Sequence, residues 1–503
     1  MDDINFLIEK LKKTIEKVDI DYETKEVGRV IAVNDGIIWA EGLDNCQMME
    51  ILKIEKDNFE ILLLALNLEE GLIGAVALND FDKIQFGDVI YRTYEVFSMP
   101  VGYNLKGRIF DPLLRPLDDL PEFQSEIFYP LEKKAPGPIE REPVTTPLHT
   151  GIKIIDTLIP IGRGQRELIL GDRQTGKTSL ALDIILNQKN DIYRTPICIY
   201  VAIGQKLSKT KRLYELLKKE DALNYSIIIS TNPDDLPILL YLAPYVGCAI
   251  GEYFMDQGED VVIIYDDLTK HAWAWRELSL LLKRPIGREA YPGDIFYLHS
   301  RLLERSANLK DKGSLTALPI CETQLGDISS YIPTNLISIT DGQIYLESDL
   351  FKSNFKPAIN IGLSVSRVGS KAQTKLIKKL SGKLKLDLAQ FRELEQFAEL
   401  TSEISSDLKQ QLIRGRVLIE ILKQENLKPI TFEKIALLIY AVNNGFFDEI
   451  ELETIKDIEK EFLNYFEINH QKILEELRLK KDLDEELERK IKNEIINFFE
   501  SRK

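Results

Sequence analysis

The run GDRQTGKTS, Gly171 to Ser179, fits the spacing G-x-x-x-x-G-K-[ST]. Glycines at Gly171 and Gly176 let the backbone N–H groups curl around an anion, and a following helix adds the positive end of its dipole. Asp172, Arg173, Gln174 and Thr175 fill the loop between them and are read, with Ser179, as nucleotide contacts. Lys177 is placed to reach β- and γ-phosphates, and Thr178 to offer its hydroxyl to Mg²⁺. Ser179 continues into the helix. A second segment, VVIIYDDLTK, delivers Asp266 and Asp267 at the end of an apolar run. A carboxylate there can hold a Mg²⁺ shell, and Asp266 is preferred because it comes first off the strand.

The elements around these residues alternate. RELIL precedes the glycine loop and KTSLALDIILNQ follows it as a helix, while PICIYVAIG and DVVIIYDD are apolar runs ending in polar residues. Such alternation predicts a parallel sheet with its site at the carboxyl ends of the strands. Between about Lys25 and Phe97 the texture is different. Short β-branched runs are broken by Asn-Asp-Gly, Asn-Asp and Phe-Gly-Asp turns, as in a small barrel or sandwich. After about Lys371 helical patterns dominate, and the last stretch reads as a solvated helix or an interaction arm. At the other terminus, Ile4, Leu7, Ile8, Leu11, Ile15 and Val18 form one apolar helical face, which must dock on its own chain or on a partner.

With 503 residues the chain exceeds one hydrophobic core. A net charge of −16 argues against non-specific nucleic-acid binding, which rests on Lys and Arg neutralising phosphates. Cys46, Cys198, Cys248 and Cys321 form no CxxC pair and read as reduced core thiols. No apolar run reads as long enough to span a bilayer, and the charged N-terminus is no secretory signal.

Beyond these local readings, PIGRGQRELILGDRQTGKTSLALD, YLAPYVGCAIGEYF, PIGREAYPGDIFYLHSRLLERSA and GLSVSRVGSKAQTKLIKKLSG resemble the alpha subunits of F-type ATP synthases. The resemblance covers nearly the whole chain. Other members of this hexameric superfamily share the glycine loop but not GDRQTGKT, VAIGQK and SVSRVGS together. It implies a multidomain chain: an N-terminal helix and linker (1–24), a β-barrel (25–97), an α/β P-loop domain of RecA type (98–371) and an α-helical domain (372–503). It also implies ATP or ADP with Mg²⁺ as bound groups. In catalytic beta subunits the position of Gln205 is a Glu that polarises the attacking water. Gln can hydrogen-bond but cannot accept the proton, which implies a binder that does not hydrolyse. Arg367 stands where alpha subunits carry an arginine finger for the neighbouring beta subunit. Phe351, Gln424 and Asn426 stand near the adenine, with two departures: family members often have Gln at the Asn426 position and Arg at Lys356.

The implied partners are beta-type subunits in an alternating ring, a gamma-type shaft and a delta-type stalk subunit at the N-terminal helix. The membrane would be reached only through partners, on the cytoplasmic side. Two alternatives remain at this level. One is an alpha-like subunit of a motor repurposed in a wall-less bacterium; the other, disfavoured by acidity and Gln205, is a Rho-like nucleic-acid translocase.

Overall fold

The computed structural model describes residues 26–56, 59–400 and 406–502. The N-terminal helix expected from Ile4 to Val18 lies outside them. The described residues divide into two compact units between Phe97 and Ser98.

The first unit is a closed six-stranded barrel of Val27–Asn34, Ile37–Glu41, Leu72–Ala77, Phe59–Glu69, Glu50–Lys56 and Val89–Val96, in that order around the wall. The Asn-Asp-Gly signal makes the first hairpin. Asn34 pairs with Ile37, and Asp35 and Gly36 both take positive φ, 47° and 79°, as a two-residue primed turn requires. Val30, Ile38, Leu52, Ile54, Leu63 and Ile90 fill the interior. Closure thus decides between the barrel and the sandwich that strand spacing left open.

The second unit is built on an eight-stranded sheet in the order Val365–Ser366, Gly342–Leu346, Leu168–Gly171, Leu315–Glu322, Val261–Asp266, Ile197–Ala202, Ser226–Ser230 and Ile109–Phe110. Every pairing is parallel except that of the Val365–Ser366 edge. The central strands are buried along their length, as continuous apolar runs demand.

Helix Pro237–Asp256 lies against strands Ile197–Ala202 and Val261–Asp266. Contrary to the sequence reading, it is long and apolar enough to cross a bilayer by length and composition, yet it is buried in the fold. Its glycines explain the close fit: a Cβ on Gly247 would come within 2.5 Å of Val201.

From Lys375 to Glu500 the chain is helical among the described residues, and its core is continuous with that of the sheet. The final helix, Glu485–Glu500, buries Leu487, Ile491, Ile495 and Phe498. Phe498 meets Phe462 with ring centroids 5.4 Å apart, so the apolar stripe is covered by the chain itself rather than offered as an arm. Several links join the helices to the sheet domain, three of them made by Lys153 and Gln424. Lys153 Nζ pairs with Glu459 at 2.6 Å, both buried. The Gln424 side chain accepts from Lys153 N at 3.0 Å, and it donates to the Gly151 carbonyl at 2.7 Å. All four cysteines are buried and unpaired, with burial pushing their thiol pKa values up.

Candidate functional site

Strand Leu168–Gly171 runs into the glycine loop, which opens helix Lys177–Asn187. Gly176 takes φ +100°, and a Cβ on Gly171 would meet the Leu346 carbonyl at 2.7 Å from the paired strand. Other residues would be strained or excluded at both positions. Gln174 also adopts a positive φ, 63°, at the exposed tip. Lys177 Nζ donates to the carbonyls of Gly171 and Asp172 at 2.8 and 2.6 Å, held over the loop where phosphate oxygens would compete for it. Burial lowers its pKa, against the raising influence of Glu322, Asp267 and Asp266.

Not every loop residue faces an anion. Asp172 is a brace: its carboxylate accepts from Thr323 Oγ1 at 2.6 Å, Gly326 N at 3.0 Å and Ser348 Oγ at 2.9 Å. Burial raises its pKa, but these bonds outweigh that and hold it below the ordinary value. Thr175 ties the loop to itself through the Asp172 carbonyl at 2.8 Å. Arg173 is exposed and reaches Glu322 at 3.0 Å. Ser179 lines the open cleft beyond.

The two aspartates separate in role. Asp266 ends its strand beside Ala202, and its Oδ2 accepts from Thr178 Oγ1 at 2.9 Å and from the Tyr200 hydroxyl at 2.5 Å. Asp267 turns away and caps helix Leu268–Leu281, accepting from Lys270 N at 2.9 Å. Burial, then the Asp266 charge, pushes its carboxyl up to about 7. Gln205 is buried beside Asp266. Its amide nitrogen donates to the Asp266 carbonyl at 3.2 Å and carboxylate at 3.3 Å, while its oxygen accepts from Lys209 Nζ at 3.0 Å. A hydroxyl and a carboxylate are hard oxygen donors suited to Mg²⁺. Among the described residues no group of three or more His, Cys, Asp or Glu could hold a metal, so phosphate oxygens and water would complete its shell.

Around the other side of Gly176 lies a narrow cavity of about 10 Å³. Phe351, Lys356, Gln424, Asn426 and Asp183 line it, so three sequence-distant stretches meet there. Lys356 Nζ stands 5.4 Å from the Phe351 ring centroid. Gly176, Phe351 and Asn426 also border the phosphate cleft, so the two spaces adjoin. Gln424 lines the cavity but spends its amide on backbone: besides Lys153 N and the Gly151 carbonyl, it donates to the Lys428 carbonyl at 2.9 Å.

Arg367 is elsewhere. Ser366 pairs with Gly342, at the opposite end of that strand from Leu346, which adjoins Gly171. Four residues of strand, roughly 13 Å, separate the two ends. Arg367 is exposed there, and its guanidinium donates to the Ile337 carbonyl at 3.2 Å.

Comparison with known proteins places these residues in a family. The nucleotide-binding domain of the ATP synthase alpha/beta family matches residues 151–366, and the C-terminal domain of ATP synthase alpha/beta chains matches residues 373–498. A protein of Petrotoga mobilis named ATP synthase subunit alpha is 51% identical over 498 residues, 98% of either chain. The Aquifex aeolicus protein of that name is 52% identical over 495 residues, 98% of this chain and 97% of its own. That of Dehalococcoides mccartyi is 49% identical over 493 residues, 97% of each.

The chain belongs to the ATP synthase alpha/beta family.

Within that family frame, three site residues escaped the sequence reading. Tyr200 sits mid-strand, and only the parallel pairing of its strand with Val261–Asp266 brings its hydroxyl to Asp266. Asp183 lies in the second turn of the glycine-loop helix, and the fold turns it into the second cavity. Lys209 reaches Gln205, Thr178 and Asp266. Its spacing of four residues from Gln205, across a helix start, was a legible signal.

Proposed function

We propose that the chain is the non-catalytic, ATP-binding alpha subunit of an F-type ATP synthase ring. The observation that carries this is Gln205. It stands beside Asp266 and Thr178 with both ends of its amide engaged, and an amide cannot take a proton from water. Loss of general-base help typically costs 10²–10⁴-fold in rate, so ATP bound here should persist. The glycine loop and Lys177 hold the phosphates, and Thr178 and Asp266 hold Mg²⁺, which when bound neutralises phosphate charge. Phe351, Lys356 and Asn426 receive the base, with Gln424 fixing the loop that carries Asn426.

Arg367 acts in another chain. Its place at the far end of the sheet puts it out of reach of its own glycine loop, and an exposed guanidinium can enter a neighbouring beta subunit's site. There it would meet charge growing on the γ-phosphate, a contribution of about 10³–10⁵ in comparable enzymes. Beta subunits would alternate with this chain around a gamma-type shaft. A delta-type stalk subunit would bind the N-terminal helix, and the ring would lie on the cytoplasmic face of the membrane, attached through its partners. Near 50% identity to alpha subunits of three bacteria favours the synthase over a repurposed motor.

The test is a ring reconstituted with a beta-type subunit. Arg367→Ala should lower steady-state ATP hydrolysis by orders of magnitude with assembly and nucleotide binding kept, because the lost contact is made in the transition state. Arg367→Lys should rescue poorly, lacking the planar fork. Near-normal turnover in the Ala ring would remove the finger. Sustained hydrolysis by this chain without beta subunits would remove the non-catalytic assignment.

A further inference from the structure

Lys209 lies in the first turn of helix Leu207–Lys219, on the rim of the phosphate cleft. Its ammonium is 3.0 Å from Gln205 Oε1, 3.2 Å from Thr178 Oγ1 and 3.6 Å from Asp266 Oδ2. An ammonium has three N–H donors, and here three oxygens converge on it. Two of them are the hydroxyl and carboxylate assigned above to Mg²⁺. Thr178 Oγ1 donates to Asp266 and accepts from Lys209, which uses a hydroxyl in both of its capacities.

We propose that Lys209 is a resident cation of the metal subsite, making nucleotide binding by this chain only weakly dependent on Mg²⁺. The proposal rests on the nucleotide-binding reading above. A divalent ion on Thr178 would bring two positive charges within a few ångströms of the ammonium, so the two compete for the same oxygens. With the metal withheld, the ammonium already neutralises Asp266 and presents positive charge where the terminal phosphate arrives. The rest of the cleft reinforces this. Arg173, Lys177, Lys206, Arg212 and Lys270 line it with Lys209, against the carboxylates of Asp266 and Glu322. The Lys209 side chain is 47% exposed, so it is free to turn from the carboxylate to a phosphate oxygen without rearranging the core.

The experiment is ATP binding to the full chain by calorimetry, in excess MgCl₂ and in excess EDTA, for wild type, Lys209→Met and Lys209→Arg. The half-exposed position makes loss of fold a minor concern, and melting curves check it. Wild type should bind ATP with affinities within about fivefold in the two conditions. Lys209→Met should lose at least tenfold in EDTA relative to MgCl₂, and Lys209→Arg should stay near wild type. Mn²⁺ titrated into the ATP-loaded chain should bind more tightly to the Met variant, by paramagnetic resonance. An unchanged Mg²⁺ ratio in Lys209→Met would overturn the proposal while leaving the nucleotide site standing. Absence of ATP binding by wild type in both conditions would instead overturn the nucleotide reading, and this proposal with it.

Discussion

In the proposed reading the cleft has a phosphate end and a base end, and the two are built in different ways. At the phosphate end, one continuous run from Gly171 to Ser179 supplies loop, lysine and hydroxyl, and neighbouring parallel strands bring Asp266 and Gln205 to it. At the base end, Asp183, Phe351, Lys356 and Asn426 come from separated stretches, and Asn426 belongs to the helical domain. The first end is fixed by sheet hydrogen bonding. The second depends on how the helical domain docks, through the Lys153–Glu459 pair and the Gln424 amide. The difference predicts that affinity for phosphate and preference for a base are separable in this chain.

Inorganic tripolyphosphate, which lacks a base, makes that separation measurable against ATP. The largest effect should come from Glu459→Ala, which leaves the Lys153 ammonium buried without its carboxylate. Removing one partner of a buried pair costs about 3–5 kcal/mol. Denaturant unfolding should show that loss, and at temperatures where the variant is folded ATP affinity should fall more than tripolyphosphate affinity. Equal losses for the two ligands would mean the docking of the helical domain supports both ends alike.

Next in size are the paired variants Lys177→Ala and Phe351→Ala. Loss of a charged hydrogen-bonding partner is worth about 1.5–3 kcal/mol, so Lys177→Ala should weaken ATP and tripolyphosphate together. A ring stacked on a base contributes about 1–3 kcal/mol, so Phe351→Ala should weaken ATP alone. Calorimetric titration of both ligands into both variants tests the pattern, and a Phe351 effect on tripolyphosphate would break it.

A further effect is a pH dependence at the base end. Burial pushes the Asp183 carboxyl up to about 7 from 3.8, against hydrogen bonds from the Leu427 and Lys428 backbone that lower it. One of its oxygens has no hydrogen-bond partner. The folded chain therefore holds this proton more tightly than the unfolded chain. Its contribution to stability is fullest below about pH 4 and is lost as pH rises towards 7. Asp183→Asn should remove that slope, so its melting temperature should gain on wild type from pH 5 to pH 8. Parallel curves would place the carboxyl outside the titration.

The glycine loop was legible because its spacing rule is local. Gly171, Gly176, Lys177 and Thr178 must keep fixed spacing for one loop to wrap an anion, and Asp266 follows a recognisable apolar strand. Less legible were Asp172 and Gln424, read as ligand contacts, whose polar atoms the structure commits to Thr323, Ser348 and backbone groups. No spacing rule carries those partners, which lie more than 150 residues away for Asp172. The final helix taught the same point, since its apolar stripe was visible but what covered it was not.

By itself the amino-acid sequence determined the order of a β domain, an alternating α/β domain and a helical region, and the spacing of the glycine loop. These follow from backbone freedom, side-chain chemistry and periodicities of a few residues. Only the tertiary structure decided that Tyr200 and Gln205 bond to Asp266 and that Asp267 turns away to cap a helix. It also decided that Lys209 shares the oxygens of Thr178 and Asp266 and that Arg367 stands at the far end of the sheet. Those outcomes depend on which strands become neighbours and in what register, and that is set by burying the whole core at once rather than by any local run of residues.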